Sequence, residues 1–246
     1  MASPRFGRTM AKRADSAPAP VVLSVGGSVL LGPDPQAEAE YFAKLADLLR
    51  EFGRTTPLAV TTGGGRVARD YIRLGRSLGL TEVELDEVGI DVTRIHARLL
   101  AARIGPPTPL RPPATTADAA IEVHRVSPVV LGGTEPGHTT DGVAALLAVR
   151  LKASRLVNAT RVAGLYDQDP RTHPKAKRLD HLGWDEFRAI VHGSTGVDAG
   201  QEFVFDRLGA DLLHRAKIPL AIVDGRDLPN LRAALEGRAF EGTRVD

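Results

Sequence analysis

The chain contains no cysteine. Disulfides, thiol nucleophiles and cysteine-ligated zinc are thereby excluded, and the redox compartment is left open. No apolar run approaches the ~18 residues of a membrane span. The basic opening MASPRFGRTMAKRADSAPAP lacks the apolar core of a signal peptide. Residues 1–20 are therefore expected to form a mostly disordered tail, and a cytoplasmic location is the default. An excess of one charge is also missing. Thirty-two basic residues face 30 acidic ones, a net charge of +2. With no RNA- or DNA-binding signature beside it, that balance argues against a nucleic-acid partner. There is no Gly-Lys pair, so the P-loop pattern is absent. The protein-kinase H-R-D and D-F-G motifs are absent as well. The histidines show no metal-ligand spacing, and no protein ligand to a metal is assigned.

What is present is an ordinary globular composition over 246 residues, 43% hydrophobic and 25% charged. That length buries one sizeable core. Short apolar runs at Val21–Val25, Pro57–Thr62, Val129–Leu131, Arg155–Asn158 and Leu220–Val223 read as strands. Helical spacing marks Glu38–Phe52, Arg66–Leu78, Asp86–Ile104, Asp141–Leu151, Asp185–Val191, Phe205–Ala216 and Leu228–Glu236. A further short strand is expected around Ile121–Val123, and a final edge strand at Gly242–Val245. Strands and helices alternate, which predicts one α/β domain over 21–246. Its central sheet should be mostly parallel, with helices on both faces in three layers.

Ligands in such sheets sit beyond the carboxyl ends of the strands. Three apolar strands here run directly into glycines: Gly26-Gly27, Gly63–Gly65 and Gly132-Gly133. A fourth signal is GHTTDGVAALLA, where two threonines and an aspartate open a helix. A helix mouth exposes unpaired N–H groups and attracts anions, phosphate above all. Together these turns predict a phosphate site on one edge of the sheet. Gly63-Gly64-Gly65-Arg66-Val67-Ala68 also fits a dinucleotide fingerprint loosely, with Glu82 or Glu84 placed for a ribose. That NAD-dehydrogenase alternative explains none of the other loops.

VVLSVGGSVL, TTGGGRVARDYI, DEVGIDVTRIHARLL, LGGTEPGHTTDGVAALLA and LVNATRVAGLYDQDP occur in that order over nearly the whole chain outside the tail. In order and spacing they resemble the amino-acid-kinase superfamily, and within it the archaeal-type UMP kinases. The resemblance implies transfer of the ATP γ-phosphoryl group to UMP with Mg²⁺, giving UDP for pyrimidine biosynthesis, by a hexamer. It implies a transfer centre at Gly26, Gly27, Ser28 and Asp206. Gly64, Gly65 and Arg69 match groups that hold the UMP phosphate, and Asp86 matches a ribose ligand. Thr134, Gly137, His138, Thr139 and Thr140 match the segment around uracil that returns to the phosphate. Thr160, Gly164, Tyr166, Asp169, Pro170 and Lys177 match the ATP loop. Elementary chemistry agrees. Phosphoryl transfer is mostly positioning and charge neutralisation, backbone N–H groups cradle phosphate, and a guanidinium binds it bidentately. An acceptor phosphate is already ionised and requires no general base.

Several positions depart from the family pattern. Ser24 stands where many members place a lysine, so another cation must neutralise the γ-phosphate. Arg161 and Ala163 replace an Asn and an Asp of the ATP loop, His96 replaces an Asn, and Gln201 replaces a small hydroxyl residue. Those ATP-loop changes leave open a second reading: the same fold acting on another phosphorylated acceptor, or as a non-catalytic nucleotide- or anion-binding protein.

Overall fold

The computed structural model describes residues 18–32, 34–168, 170, 172–193 and 205–246. Its centre is a seven-stranded sheet in the order β3-β2-β1-β4-β6-β7-β5. The five strands read from sequence are β1 (Val21–Val25), β2 (Leu58–Thr62), β3 (Val129–Leu131), β4 (Arg155–Thr160) and β6 (Leu220–Asp224). All pair in parallel, in register Leu23↔Val60, Leu23↔Val157 and Val157↔Ala221. Their near-continuous apolar runs follow from burial on both faces.

Alternate side chains define the two cores. Leu23, Val60 and Val157 face α1 (Gly27–Leu30), α2 (Pro35–Gly53), α4 (Glu82–Ile104) and α9 (Leu228–Glu236). Val22, Ala59, Leu156 and Ile222 face α5 (Thr116–Glu122), α6 (Thr140–Leu151), α7 (Trp184–Val191) and α8 (Arg207–Ala216). The expected three-layer α/β architecture is therefore observed. Helix α3 (Gly65–Ser77) lies outside the layers, against α4, and buries only Ala68 and Gly75.

Four expectations need correction. Ile121 and Glu122 belong to helix α5 and Val123 is its C-cap; no strand forms there. Thr115 starts that helix by accepting from the Asp118 N–H, and Ile121 is more than half exposed. Residues 243–245 do form a strand, β7 (Thr243–Val245), but it is not the edge. The two-residue β5 (His181–Leu182) pairs beyond it. Helix α4 begins four residues before Asp86. Thr81 and Glu84 form a reciprocal capping box, so Asp86 is an interior residue of the helix and not its cap. Finally, the tail assignment of 1–20 runs too far. Pro20 is buried and its carbonyl accepts from the Ser154 N–H at 2.8 Å; residues 1–17 lie outside the described residues.

Candidate active site

The strand order places the ends of β3, β2, β1 and β4 side by side, so the glycine turns meet as the sequence predicts. The structure adds a reason for the glycines. The turn after β1 lies directly on the turn after β2. A Cβ on Gly27 would stand 2.5 Å from the Gly63 carbonyl oxygen, and one on Gly65 2.5 Å from the Gly27 carbonyl carbon. Gly65 also has φ +58°, a left-handed conformation that glycine adopts without cost. Mutual backbone packing, rather than ligand approach alone, explains Gly27 and Gly65.

Gly26, expected to offer its N–H to a phosphate, donates it to Ala159 O at 3.0 Å. The N–H groups of Gly27 and Ser28, which open α1, precede any intrahelical acceptor and remain the donors of this turn.

Beside these turns lies a cavity of about 190 Å³ lined by Gly64, Ala68, Ile72, Asp86, Gly89, Ile90, Thr93, Gly133, Glu135, His138, Thr139 and Thr140. It brings together five of the expected acceptor residues: Gly64, Asp86, His138, Thr139 and Thr140. Larger cavities exist, one under the amino ends of the strands around Pro18 and Arg155, another along the β5–β7 edge around Arg178 and Arg244. Neither touches the glycine turns. Arg69 is not among the cavity's lining residues; it projects from the second turn of α3, exposed, with no ion-pair partner among the described residues. Its neighbours Arg66 and Arg73 instead share Asp70.

The acceptor segment is held at several points. Arg94 donates to Gly133 O at 3.2 Å and to Thr134 O at 3.3 Å. Thr93 accepts from the Gly133 N–H at 2.7 Å. Asp86 Oδ2 accepts from the Gly137 N–H at 2.8 Å, so the carboxylate expected at a ribose also ties down the loop. On the other flank, His96 is buried and its Nδ1–H donates to Gly63 O at 2.8 Å. Burial lowers its pKa, only partly offset by that hydrogen bond, so the ring is neutral and fixed in one tautomer. Thr93, Arg94 and His96 were not assigned roles from sequence. Helical spacing on α4 was visible, but which glycine turns α4 would face was not.

At the mouth of α6 the capping reading and the functional one coincide. Thr139 is the N-cap, accepting from the Gly142 N–H at 3.1 Å while its hydroxyl donates to Asp206 Oδ2 at 2.8 Å. Asp206 in turn caps α8 through the Gly209 N–H at 2.7 Å. A Cβ on Gly142 would lie 3.1 Å from Asp206 Oδ1, so two helix starts abut at one carboxylate. Asp141, in the first turn of α6, accepts from Ser24 Oγ at 2.7 Å and Asn158 Nδ2 at 3.4 Å. Burial raises its pKa, the two hydrogen bonds lower it, and Asp206 raises it further.

The loop after β4 is docked by a residue not anticipated. Thr243, fully buried, accepts from the Leu165 N–H at 2.7 Å and donates to Leu179 O at 2.6 Å. Gly164, at φ +126°, packs on the same hydroxyl. Thr160 uses its hydroxyl in the loop's own turn, to Val162. Tyr166 bridges to Arg178. Lys177 pairs through its backbone with Asp167 and leaves its ammonium exposed. Pro170 is half-buried. Asp169 and Gln201 lie outside the described residues. Arg161 is exposed and has no carboxylate partner among the described residues; its guanidinium reaches toward Gly32 and Glu38.

The dinucleotide alternative loses its ribose ligands. Glu84 is engaged with Thr81, and Glu82 with Arg76 at 2.9 Å. Among the described residues no group of three or more His, Asp or Glu is arranged around a metal position. Asp141 and Asp206 already accept two hydrogen bonds each.

Comparison with known proteins agrees. The model of the amino acid kinase family matches residues 19–224. A uridylate kinase of Thermoplasma volcanium is 42% identical over 226 residues, covering 92% of this chain and 97% of that one. A uridylate kinase of Methanococcoides burtonii is 41% identical over 207 residues, covering 84% and 87%. The crystal structure of uridylate kinase from Archaeoglobus fulgidus superposes with a TM-score of 0.80 at 36% identity, covering 92% of this chain and 99% of that one. A UMP kinase from Bacillus anthracis, at 19% identity and TM-score 0.74, shares the fold. The glycine turns, the α6 mouth and the near-complete coverage of these relatives lead to one conclusion: the chain belongs to the amino acid kinase family.

Proposed function

We propose that the protein is a UMP kinase, transferring the γ-phosphoryl group of ATP to UMP and releasing UDP and ADP. One observation carries this reading: the cavity holding Gly64, Asp86, Thr139 and Thr140 opens beside the Gly27 turn, with Asp206 bonded to Thr139 at its edge. The relatives named above are similar over nearly their whole length.

UMP occupies the cavity with its phosphate toward the α6 mouth, where Thr139, Thr140 and Arg69 neutralise and orient it. Asp86 takes the ribose through its second oxygen, and Thr134, Gly137 and His138 shape the base end. The ATP triphosphate lies along the loop of Thr160, Gly164, Tyr166, Asp169, Pro170 and Lys177. Its γ-phosphoryl group meets the N–H groups of Gly27 and Ser28. A UMP phosphate oxygen forms the new P–O bond while the bond to the bridging β–γ oxygen breaks, and that electron pair leaves with ADP. No proton need be removed. Asp206 is a positioning residue, holding Thr139 and both helix starts in place. Mg²⁺ bound to the ATP phosphates would supply further charge neutralisation there. With Ser24 in place of a lysine, Arg161, Lys175 and Lys177 supply positive charge in the donor loop, each without a carboxylate partner among the described residues. The enzyme acts in the cytoplasm, in pyrimidine nucleotide biosynthesis, as a hexamer.

The test is transfer from Mg²⁺-ATP to UMP, CMP, dTMP, AMP and GMP. Selective UDP formation is expected. Intact UMP binding with no transfer to any of the five would instead support a binding protein with an altered donor loop.

A further inference from the structure

Resting on the UMP-kinase reading, we propose that Glu135 sets base specificity, its carboxylate accepting a hydrogen bond from N3–H of the uracil ring. Glu135 lines the acceptor cavity, and its carboxylate has no hydrogen-bond or ion-pair partner among the described residues. Asp86, the other carboxylate of the lining, is engaged by Gly137.

The backbone around Glu135 is fixed on both sides. Arg94 grips the carbonyls of Gly133 and Thr134, and Asp86 grips the Gly137 N–H. His138 N–H closes a turn on Glu135 O at 3.4 Å. A side chain carried on so constrained a loop is presented to the cavity in a defined place.

Charge decides which end of the nucleotide it meets. The phosphate dianion belongs at the α6 mouth, with the N–H groups of that helix and the Arg69 guanidinium. A carboxylate repels it, so the base is the part of the nucleotide assigned to Glu135. An ionised carboxylate only accepts hydrogen bonds. Uracil offers a single ring N–H donor, at N3. Cytosine carries an unprotonated nitrogen at that position, whose lone pair would face the carboxylate. Ala68, Ile72, Gly89 and Ile90 of the lining carry no side-chain acceptor. Glu135 therefore favours UMP over CMP.

The experiment measures kcat/KM at saturating Mg²⁺-ATP for UMP, CMP and N3-methyl-UMP, in the parent and in Glu135→Ala and Glu135→Gln, with thermal melting to verify folding. A hydrogen bond to a charged acceptor corresponds to about a tenfold preference or more. The parent is expected to select UMP over both analogues by at least about that factor. Glu135→Ala should lose most of this selection, chiefly through a higher KM for UMP. Glu135→Gln should move the UMP-to-CMP ratio toward CMP, because its amide can turn an N–H toward the cytosine nitrogen. Ratios in both variants equal to the parent's would overturn the assignment while leaving the kinase reading intact. A folded parent that neither binds nor phosphorylates any of the three acceptors would overturn both.

Discussion

Asp141 is a buried carboxylate with no cation paired to it among the described residues; its partners are the neutral donors Ser24 and Asn158. Burial raises the Asp141 pKa above its ordinary value, and neighbouring Asp206 adds to the rise. A raised folded-state pKa means that the proton is held more tightly in the native protein than in the unfolded chain, so protonation stabilises the fold. Its stabilisation is full below the unfolded-state value of 3.8 and is lost as pH rises through the folded-state value. Asp141→Asn keeps the shape, and Asn158 can turn its amide to suit the new partner. The variant should be at least as stable as the parent near neutral pH, with a flatter dependence from about pH 4 upward; urea titrations across that range read the slope. An unchanged slope would mean that other groups carry the dependence. Arg69→Ala tests the phosphate clamp. It should raise KM for UMP about tenfold or more while KM for ATP stays near the parent value. An unaltered UMP dependence would remove Arg69 from the site. Asp206→Asn presents an N–H₂ in place of an oxygen that accepts from Thr139 or Gly209. It should lower kcat more than it weakens UMP binding, as a lost positioning group does. Normal turnover would reduce Asp206 to a helix cap.

Between elements, the decisive contact is the stacking of the turn after β1 on the turn after β2. Adding one methyl at Gly27 puts it on the Gly65 nitrogen and the Gly63 carbonyl. Backbone cannot yield there as a flexible side chain can, so overpacking of about 1–3 kcal/mol or more is expected. Gly27→Ala should lower the urea midpoint by a corresponding amount and depress transfer together with it. A midpoint equal to the parent's would show that the turns separate freely. The same contact explains what sequence revealed and what it hid. The apolar runs of β1, β2, β3, β4 and β6 and the Thr139 cap of α6 are local patterns, and all were legible. So was the presence of glycine turns. That Gly27, Gly63 and Gly65 face one another depends on the order β3-β2-β1-β4, which no local pattern encodes. The partners of His96 and Arg94 were hidden for the same reason, since they lie 33 and 39 positions away. Strand β5 is two residues long and is defined only by pairing with β7. Ile121–Val123 misled because isoleucine and valine favour strands, whereas the Thr115 cap and the packing of α5 on α6 decide for helix. Thr81 and Glu84 were in plain view as a capping box, but the run of apolar spacing drew the helix start to Asp86.

At the scale of the whole molecule, two outer helices carry exposed apolar side chains. On α3, Tyr71, Leu74 and Leu78 are 54%, 55% and 70% exposed, spaced to form one stripe. On the adjoining α4, Ile95 and Leu99 are 58% and 51% exposed at a spacing of one helical turn. Scattered single exposures need no explanation, but a stripe on each of two packed helices marks an association surface. The same helices carry residues of the proposed acceptor site and its supports: Gly65 and Arg69 on α3, and Asp86, Thr93, Arg94 and His96 on α4. Subunit contact through this face would brace the cavity from behind, because α3 is held to the body of the molecule mainly by α4. Light scattering coupled to gel filtration should find the parent as an oligomer. Leu74→Glu with Leu78→Glu should shift it to a smaller species, with a melting temperature that no longer rises with protein concentration. UMP binding should weaken in that variant more than ATP binding, since only the acceptor pocket lies on these two helices. A double variant of unchanged mass would place the subunit interface on another face, and an oligomer dissociated with UMP affinity intact would sever assembly from the acceptor site.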